Sequence, residues 1–260
     1  MMSAGATKLW SLDGATATVE RGMLVTGATG TVTFPMPAFL IEHPRGLVLF
    51  DSGIASDAAD DPQAVFGEFA DAAGLSFSRD QRVDSQIRAL GYRTEDVTDV
   101  LVSHSHFDHT GGLHLFPHAR FHIGSGDLDY ARAPKPEAAI FYRAADLEPT
   151  RDYTWNEVTG DFDLFGDGTI TLLHMPGHTP GNSSLLVRLP NRNILLTGDT
   201  VHLRSALTDE LPMPTDHDLD TAVQSVRRLK QLGAELDALT WITHDPEDWA
   251  ELGSETRCYD

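Results

Sequence analysis

The sequence predicts an α/β protein made of two similar halves, with chemistry carried at the ends of strands. Three observations predict it. "LVLFDSG" (47–53) and "ILLTGDT" (194–200) are both apolar, buried-type strands that run into an acid. "VLVSHSH" (100–106) and "LTWITHD" (239–245) likewise run from apolar residues into histidines. The order of strands, helix and acid-ended strand occurs in each half, as a repeat of pattern rather than of sequence. With no linker or low-complexity stretch, residues 1–260 are expected to form one domain.

The elements follow in order. Residues 7–50 read as strands: "TATVERGMLV" (16–25) and "GTVTFPMPAFLIEH" (30–43) are rich in β-branched and aromatic residues, punctuated by Gly and Pro. Residues 54–79 read as a loop or irregular helical segment carrying Phe66, Phe69 and Phe77. A helix from Arg79 to Leu90 places Val83, Ile87 and Leu90 on one face and stops at Gly91. Then come a strand at 97–106, a short strand at 119–127 and a helix that Pro134 ends. Residues 135–160 lack periodicity and read as mostly loop. "GTITLLHMPGH" (168–178) and "NSSLLVRLPNRNILLTGDT" (182–200) give a second strand series, turned at "LPNRN". A helix from Asp218 to Leu232 carries Val223, Val226, Leu229 and Leu232 at i+3 spacing, and "ALTWITHD" is a last strand.

Composition excludes several function classes. A hydrophobic content of 41% with 22% charged residues fits a sizeable core. The formal net charge of −20 argues against nucleic acid and anionic membrane, which attract cationic surfaces. Cys258 is the single cysteine, so no intrachain disulfide forms and a reducing compartment fits. "MMSAGATKLWSLDG" has no basic n-region and no continuous apolar h-region, and no stretch approaches the ~20 apolar residues of a spanning helix. A soluble cytoplasmic protein, monomer or homodimer, acting on a small molecule is expected.

"LVSHSHFDHTGGL" (101–113) carries the chemistry. His104, His106, Asp108 and His109 fall within six residues, directly after an apolar run. Such crowding gains nothing by burial; a cation supplies the missing charge. In an extended segment His104 and His106 share a face. His109 breaks that alternation and needs a turn, for which Thr110, Gly111 and Gly112 follow. Two ligand sets offset around one turn suit two adjacent metals, so further ligands are expected downstream. His178 in "MPGHTPG", Asp199 in "LTGDT" and His244 in "ITHD" each follow an apolar run. His43, His114, His118, His122, His174 and His217 have no such motif and read as surface or hydrogen-bonded structural residues. Beside His217, Asp216 or Asp218 reads as a helix N-cap.

"HSHFDH" (104–109), "PGHTPGN" (176–182), "TGDT" (197–200) and "THD" (243–245) together resemble the metallo-β-lactamase superfamily, over nearly the whole chain. The resemblance implies a four-layer αββα sandwich with a dinuclear metal site at one edge of the sheets. It implies that His104, His106 and His178 hold one metal, that Asp108, His109 and His244 hold the other, and that Asp199 bridges them. Two zinc ions are expected, with iron, manganese or cobalt as alternatives.

Within the superfamily the chain is most similar to the N-acyl-homoserine lactonase group, which includes γ-butyrolactonase-like and 4-pyridoxolactonase-like enzymes. That similarity implies opening of a lactone ring by a hydroxide held between two zinc ions. Asp108 or Asp199 would pass the proton to the leaving ring oxygen. Hydrolysis of another ester or thioester, as in glyoxalase II, is the alternative. Many members of the group have a tyrosine three residues after the bridging Asp; here that position is His202, which also offers a hydrogen-bond donor. Phe107, Phe66 and Phe69 are expected to wall a site for an acyl chain.

Overall fold

A computed structural model describes residues 5–253 and 256–260. Residues 1–4, the start of the stretch read as lacking a secretory signal, lie outside the described residues, as do 254 and 255. The strands are β1 (Lys8–Glu20), β2 (Thr31–His43), β3 (Gly46–Phe50), β4 (Val97–Leu101), β5 (Arg120–Gly124), β6 (Thr154–Val158), β7 (Phe162–Asp163), β8 (Ile170–His174), β9 (Ser183–Arg188), β10 (Asn193–Leu196), β11 (Ala238–Trp241) and β12 (Cys258–Tyr259). They form a seven-stranded sheet ordered β12-β1-β2-β3-β4-β5-β6 and a five-stranded sheet ordered β11-β10-β9-β8-β7. The helices are α1 (Arg21–Leu24), α2 (Pro62–Phe66), α3 (Glu68–Ala72), α4 (Val83–Ala89), α5 (Phe107–Thr110), α6 (Asp127–Arg132), α7 (Ala144–Leu147), α8 (Arg204–Asp209), α9 (Leu219–Glu235) and α10 (Pro246–Asp248). None of the described helices is long and apolar enough to cross a membrane.

The four-layer sandwich is written in the period-two alternation of the strands. Phe39, Ile41, Val48, Phe50 and Leu101 of the larger sheet pack with Leu185, Val187, Ile194, Leu196 and Trp241 of the smaller one. Their neighbours point outward: Leu40, Leu47, Leu49 and Val100 cluster with Val83 and Ile87 of α4. On the far side Leu186 and Leu195 cluster with Val226 and Leu229 of α9. Strands buried on both faces read as continuous apolar runs, which is why "GLVLF" and "NILL" stood out.

The structure corrects several boundaries. The reading of 16–25 as one strand fails at Arg21, where α1 begins. β1 pairs with β2 from Glu20↔Thr31 inward, so the residues between must reverse the chain. The strand at 97–106 stops at Leu101, and the histidines lie on the segment leaving the sheet. The region 135–160 is not simply loop, for it holds α7 and β6. β6 is an edge strand with only Val158 fully buried, so no apolar alternation marks it, and its backbone pairing with β5 creates it. α9 begins one residue later than expected, capped by Asp218 accepting from Thr221 N at 2.8 Å, and runs on to Glu235.

The turn after the histidine motif depends on glycine. A Cβ on Gly111 would lie 2.0 Å from Ala55 N and 2.2 Å from Ile54 C, both backbone atoms that cannot swing away. Gly111→Ala should therefore destabilise the metal-free protein by about 1–3 kcal/mol, the usual range for overpacking. Chemical denaturation reads this directly, and an unchanged midpoint would refute the close approach.

Candidate metal centre

The seven expected ligands converge at one edge of the sandwich, where segments from both sheets meet. The segment after β4 delivers His104 and His106, and α5 delivers Asp108 and His109. His178 lies between β8 and β9, Asp199 just after β10 and His244 just after β11. Gly198, at φ 51, makes the turn that points Asp199 inward. Two groups result, His104, His106, His178 and Asp199 in one and Asp108, His109 and His244 in the other.

Asp199 joins them. Its Oδ2 lies 3.7 Å from His104 Nε2 and 3.5 Å from His178 Nε2. Its Oδ1 lies 3.3 Å from His109 Nε2 and 3.0 Å from His244 Nε2. Asp108 Oδ2 is 3.5 Å from both His109 Nε2 and His244 Nε2, and His106 Nδ1 is 3.1 Å from His178 Nε2. Tetrahedral bonds of ~2.0–2.1 Å set neighbouring ligand atoms roughly 3.3 Å apart, which these spacings bracket.

The donor atoms suit a cation. His104 Nε2, His109 Nε2 and Asp199 Oδ1 are buried without a hydrogen-bond partner, a costly arrangement unless something fills the space between them. The opposite ring nitrogens are tied down. His109 Nδ1 faces Asp51 Oδ2 at 2.8 Å and His178 Nδ1 faces Asp216 Oδ1 at 2.7 Å. His244 Nδ1 donates to Pro35 O at 2.7 Å, and His104 Nδ1 meets Ser103 Oγ at 3.0 Å. Partners of this kind fix the tautomer and aim the free nitrogen at a metal. Burial pushes the His104 and His106 imidazoles well below their ordinary pKa, and neighbouring imidazoles add to it, so both are held neutral as ligands require. Burial works against charge on Asp199, yet His244, His109, His202 and His104 outweigh it and hold the carboxyl well below the usual range.

A cleft opens onto these atoms. His106, Asp108, His178, Asp199, His202 and His244 form its polar end, and Val19, Met23, Leu24, Phe34, Phe69, Phe107, Phe141 and Met213 its apolar wall. His202 Nε2 lies 3.1 Å from Asp199 Oδ2. Its ring is 5.0 Å from that of His178 and is stacked 5.8 Å from that of His244. Of the three expected wall residues, Phe107 and Phe69 line the cleft. Phe66 stands behind them, 5.1 Å from the Phe107 ring and 6.4 Å from the Phe69 ring, under the Arg143 guanidinium.

Sequence reasoning missed Asp51 and Asp216 as imidazole partners. Asp51 had a signal, an acid closing an apolar strand, and its φ of 59 in the left-handed region now aims Oδ2 at His109 and Oδ1 at Ser103 N, 2.7 Å away. Asp216 was one of two residues read as a helix cap; only Asp218 caps, and Asp216 holds His178 while accepting from Met213 N at 2.9 Å. Phe141 and Met213 reach the cleft from segments with no periodic signal. Of the histidines outside the motifs, His43 lies beside Asp167 at 3.1 Å, His122 beside Asp99 at 3.0 Å and His118 beside Val97 O at 3.0 Å.

Comparison with known proteins shows the family and the fold. The N-acyl homoserine lactonase AttM of Rhizobium radiobacter is 36% identical over 230 residues, covering 86% of this chain and 87% of the relative. An N-acyl homoserine lactone hydrolase, solved with the product N-hexanoyl-L-homoserine at its catalytic metal centre, superposes with a TM-score of 0.85 at 21% identity, covering 98% of this chain and 100% of the other. AidC, a dizinc quorum-quenching lactonase, superposes with a TM-score of 0.69 at 18% identity, covering 93% and 91%. The sequence model of the metallo-beta-lactamase superfamily matches residues 34–236. With that match across most of its length and the ligand groups assembled at the sheet edge, the chain belongs to the metallo-β-lactamase superfamily.

Proposed function

We propose that the protein hydrolyses the ring ester of N-acyl-homoserine lactones, as a quorum-quenching lactonase with zinc at both metal positions. The observation that carries this reading is the apolar cleft ending directly on paired His/Asp groups, which suits an uncharged acyl chain with an ester at its head. The relationship to AttM supports it. We place the protein in the cytoplasm, where the exposed lone thiol of Cys258 stays reduced.

In this reading His104, His106 and His178 would hold one cation and Asp108, His109 and His244 the other, with Asp199 available to both. Bound there, the cations would supply Lewis-acid polarisation of a carbonyl and acidify a water enough for attack at neutral pH. The chain's own groups do the rest. Phe69 and Phe107 hold the acyl chain and keep water from it, with Phe66 bracing both. Burial pushes the His202 imidazole below its ordinary pKa despite the opposing Asp199, so it is neutral and donates through Nε2–H. That donor turns to the carbonyl oxygen as negative charge builds there. Asp108 or Asp199, both ionised, takes the proton given up by the attacking water and passes it to the ring oxygen as the C–O bond breaks, so that water and lactone together become the open hydroxy acid.

Proton release from a panel of lactones, run against an S-acyl glutathione thioester, tests the reaction class. Acyl-homoserine lactones should turn over fastest; preference for the thioester would replace this reading with the glyoxalase II-like one. Asp199→Asn should reduce bound zinc from two per chain to one or fewer, because a neutral amide bridges two cations poorly. Turnover should fall by at least the roughly 100-fold that is the upper cost of losing an outer partner. Two zinc ions and full rate in that variant would show that Asp199 does not bridge. His202→Ala should lower kcat about 10- to 100-fold with both metals retained, at or below the low end for loss of one oxyanion donor. His202→Tyr should lose less. Unchanged turnover in the alanine variant would make His202 a packing residue.

A further inference from the structure

Asp127 is fully buried at the start of α6, yet it neither lines the cleft nor hydrogen-bonds to a ligand imidazole. A carboxylate is costly to bury unless its oxygens are filled, and here four donors fill them. Oδ1 accepts from Ser105 N at 2.8 Å and from Ser105 Oγ at 2.5 Å. Oδ2 accepts from Thr179 Oγ and from Gly181 N, the latter at 3.1 Å. The division is the informative part. Ser105 sits between His104 and His106 on the segment leaving the larger sheet, whereas Thr179 follows His178 on a loop of the smaller one.

A second observation places the same two segments under the same constraint. A Cβ on Gly124 would lie 1.9 Å from Gly181 O, and one on Gly181 would lie 2.2 Å from Gly124 O. The end of β5 and the His178 loop are thus pressed backbone to backbone, with Asp127 closing the joint three residues beyond Gly124. The three imidazoles of one metal group come from opposite sides of this joint, two from one loop and one from the other. The Asp108, His109 and His244 group has no hydrogen bond to Asp127.

We propose that Asp127 is the positioning residue of the three-histidine site, a single carboxylate that sets the spacing of His104 and His106 relative to His178 and so the affinity for that metal alone. The inference rests on the dinuclear reading above. Asp127→Asn keeps the shape, but its amide NH₂ must face donors on one of the two loops and release that loop. Thr179→Val removes one donor on the His178 side and Ser105→Ala one on the other.

The test uses zinc-loaded protein titrated with a chelator, with zinc counted per chain. Asp127→Asn should give up one zinc at about 10- to 100-fold lower chelator concentration than the parent, the usual effect of an outer partner, and hold the other as the parent does. Thr179→Val and Ser105→Ala should shift the same zinc in the same direction by less. Added to His178→Ala, which already disables the three-histidine site, Asp127→Asn should change nothing further. Added to His244→Ala it should weaken the remaining zinc by the same factor. Equal weakening in both backgrounds would reduce Asp127 to general structural support and overturn the proposal, as would parental zinc retention in Asp127→Asn. If that variant fails to fold, Thr179→Val decides: selective early loss of one zinc supports the proposal and parental retention sinks it. A parent that binds no zinc would instead bring down the dinuclear reading, whereas a parent with two zinc ions and an indifferent Asp127 would remove only this inference.

Discussion

Five imidazoles crowd within 3.0–3.7 Å of the Asp199 carboxylate, all of them buried. That concentration of titratable groups is the constraint around which the rest of the molecule is arranged. Buried ionic groups are costly unless their geometry is held closely and their remaining lone pairs are filled. Each imidazole therefore carries a partner on its far side or a ring packed against it, and three of those partners are anchored by a backbone donor or belong to the backbone itself. Asp51 takes Ser103 N, Asp216 takes Met213 N, and Pro35 offers a carbonyl.

The fold makes such a cluster possible by bringing loops from two sheets to one edge. Neither half could supply the site alone. His104, His106, Asp108 and His109 come from the larger sheet, and His178, Asp199 and His244 from the smaller one. The hydrophobic layer between the sheets fixes the gross separation, but apolar packing is non-directional and does not set ligand spacing to tenths of an ångström. Directional bonds do that at the joints: the Asp127 carboxyl between Ser105 and Thr179, and the Asp245 carboxyl between Arg204 N and the start of α10. Close glycine contacts at Gly111, Gly124 and Gly181 allow the loops to approach that near.

The cleft shows a division of labour. Its polar end is built from residues of the four motifs and from His202, whereas its apolar wall draws mainly on β1, α1, β2, α3 and the segments around Phe141 and Met213. The wall is nonetheless coupled to the ligands: the Phe34 ring lies 5.3 Å from that of His244, the Phe141 ring 5.1 Å from that of His106, and Met213 N donates to the Asp216 that holds His178. Phe107 joins the two, since it lies between His106 and Asp108 and packs against Phe66 and Phe69.

By itself the sequence determined the α/β class, the strands buried on both faces and all seven candidate ligands. The reason is local: apolar runs, a short dense motif and acids or histidines at strand ends are features of neighbouring residues. His202 stood out only through the resemblance to the lactonase group, as the residue at that group's usual tyrosine position. What the sequence could not carry were partnerships across the chain. β6 exists because β5 offers it a backbone edge, and its own residues alternate too little to announce a strand. Asp216 and Asp218 look equivalent in "TDHD", and only the approach of the His178 loop sends one to an imidazole while the other caps α9. Phe66 and Phe69 look alike on one irregular segment, and packing alone puts one in the cleft and the other behind it. Those choices are made by contacts between residues far apart in sequence, which no local pattern records, so only the tertiary structure could decide them.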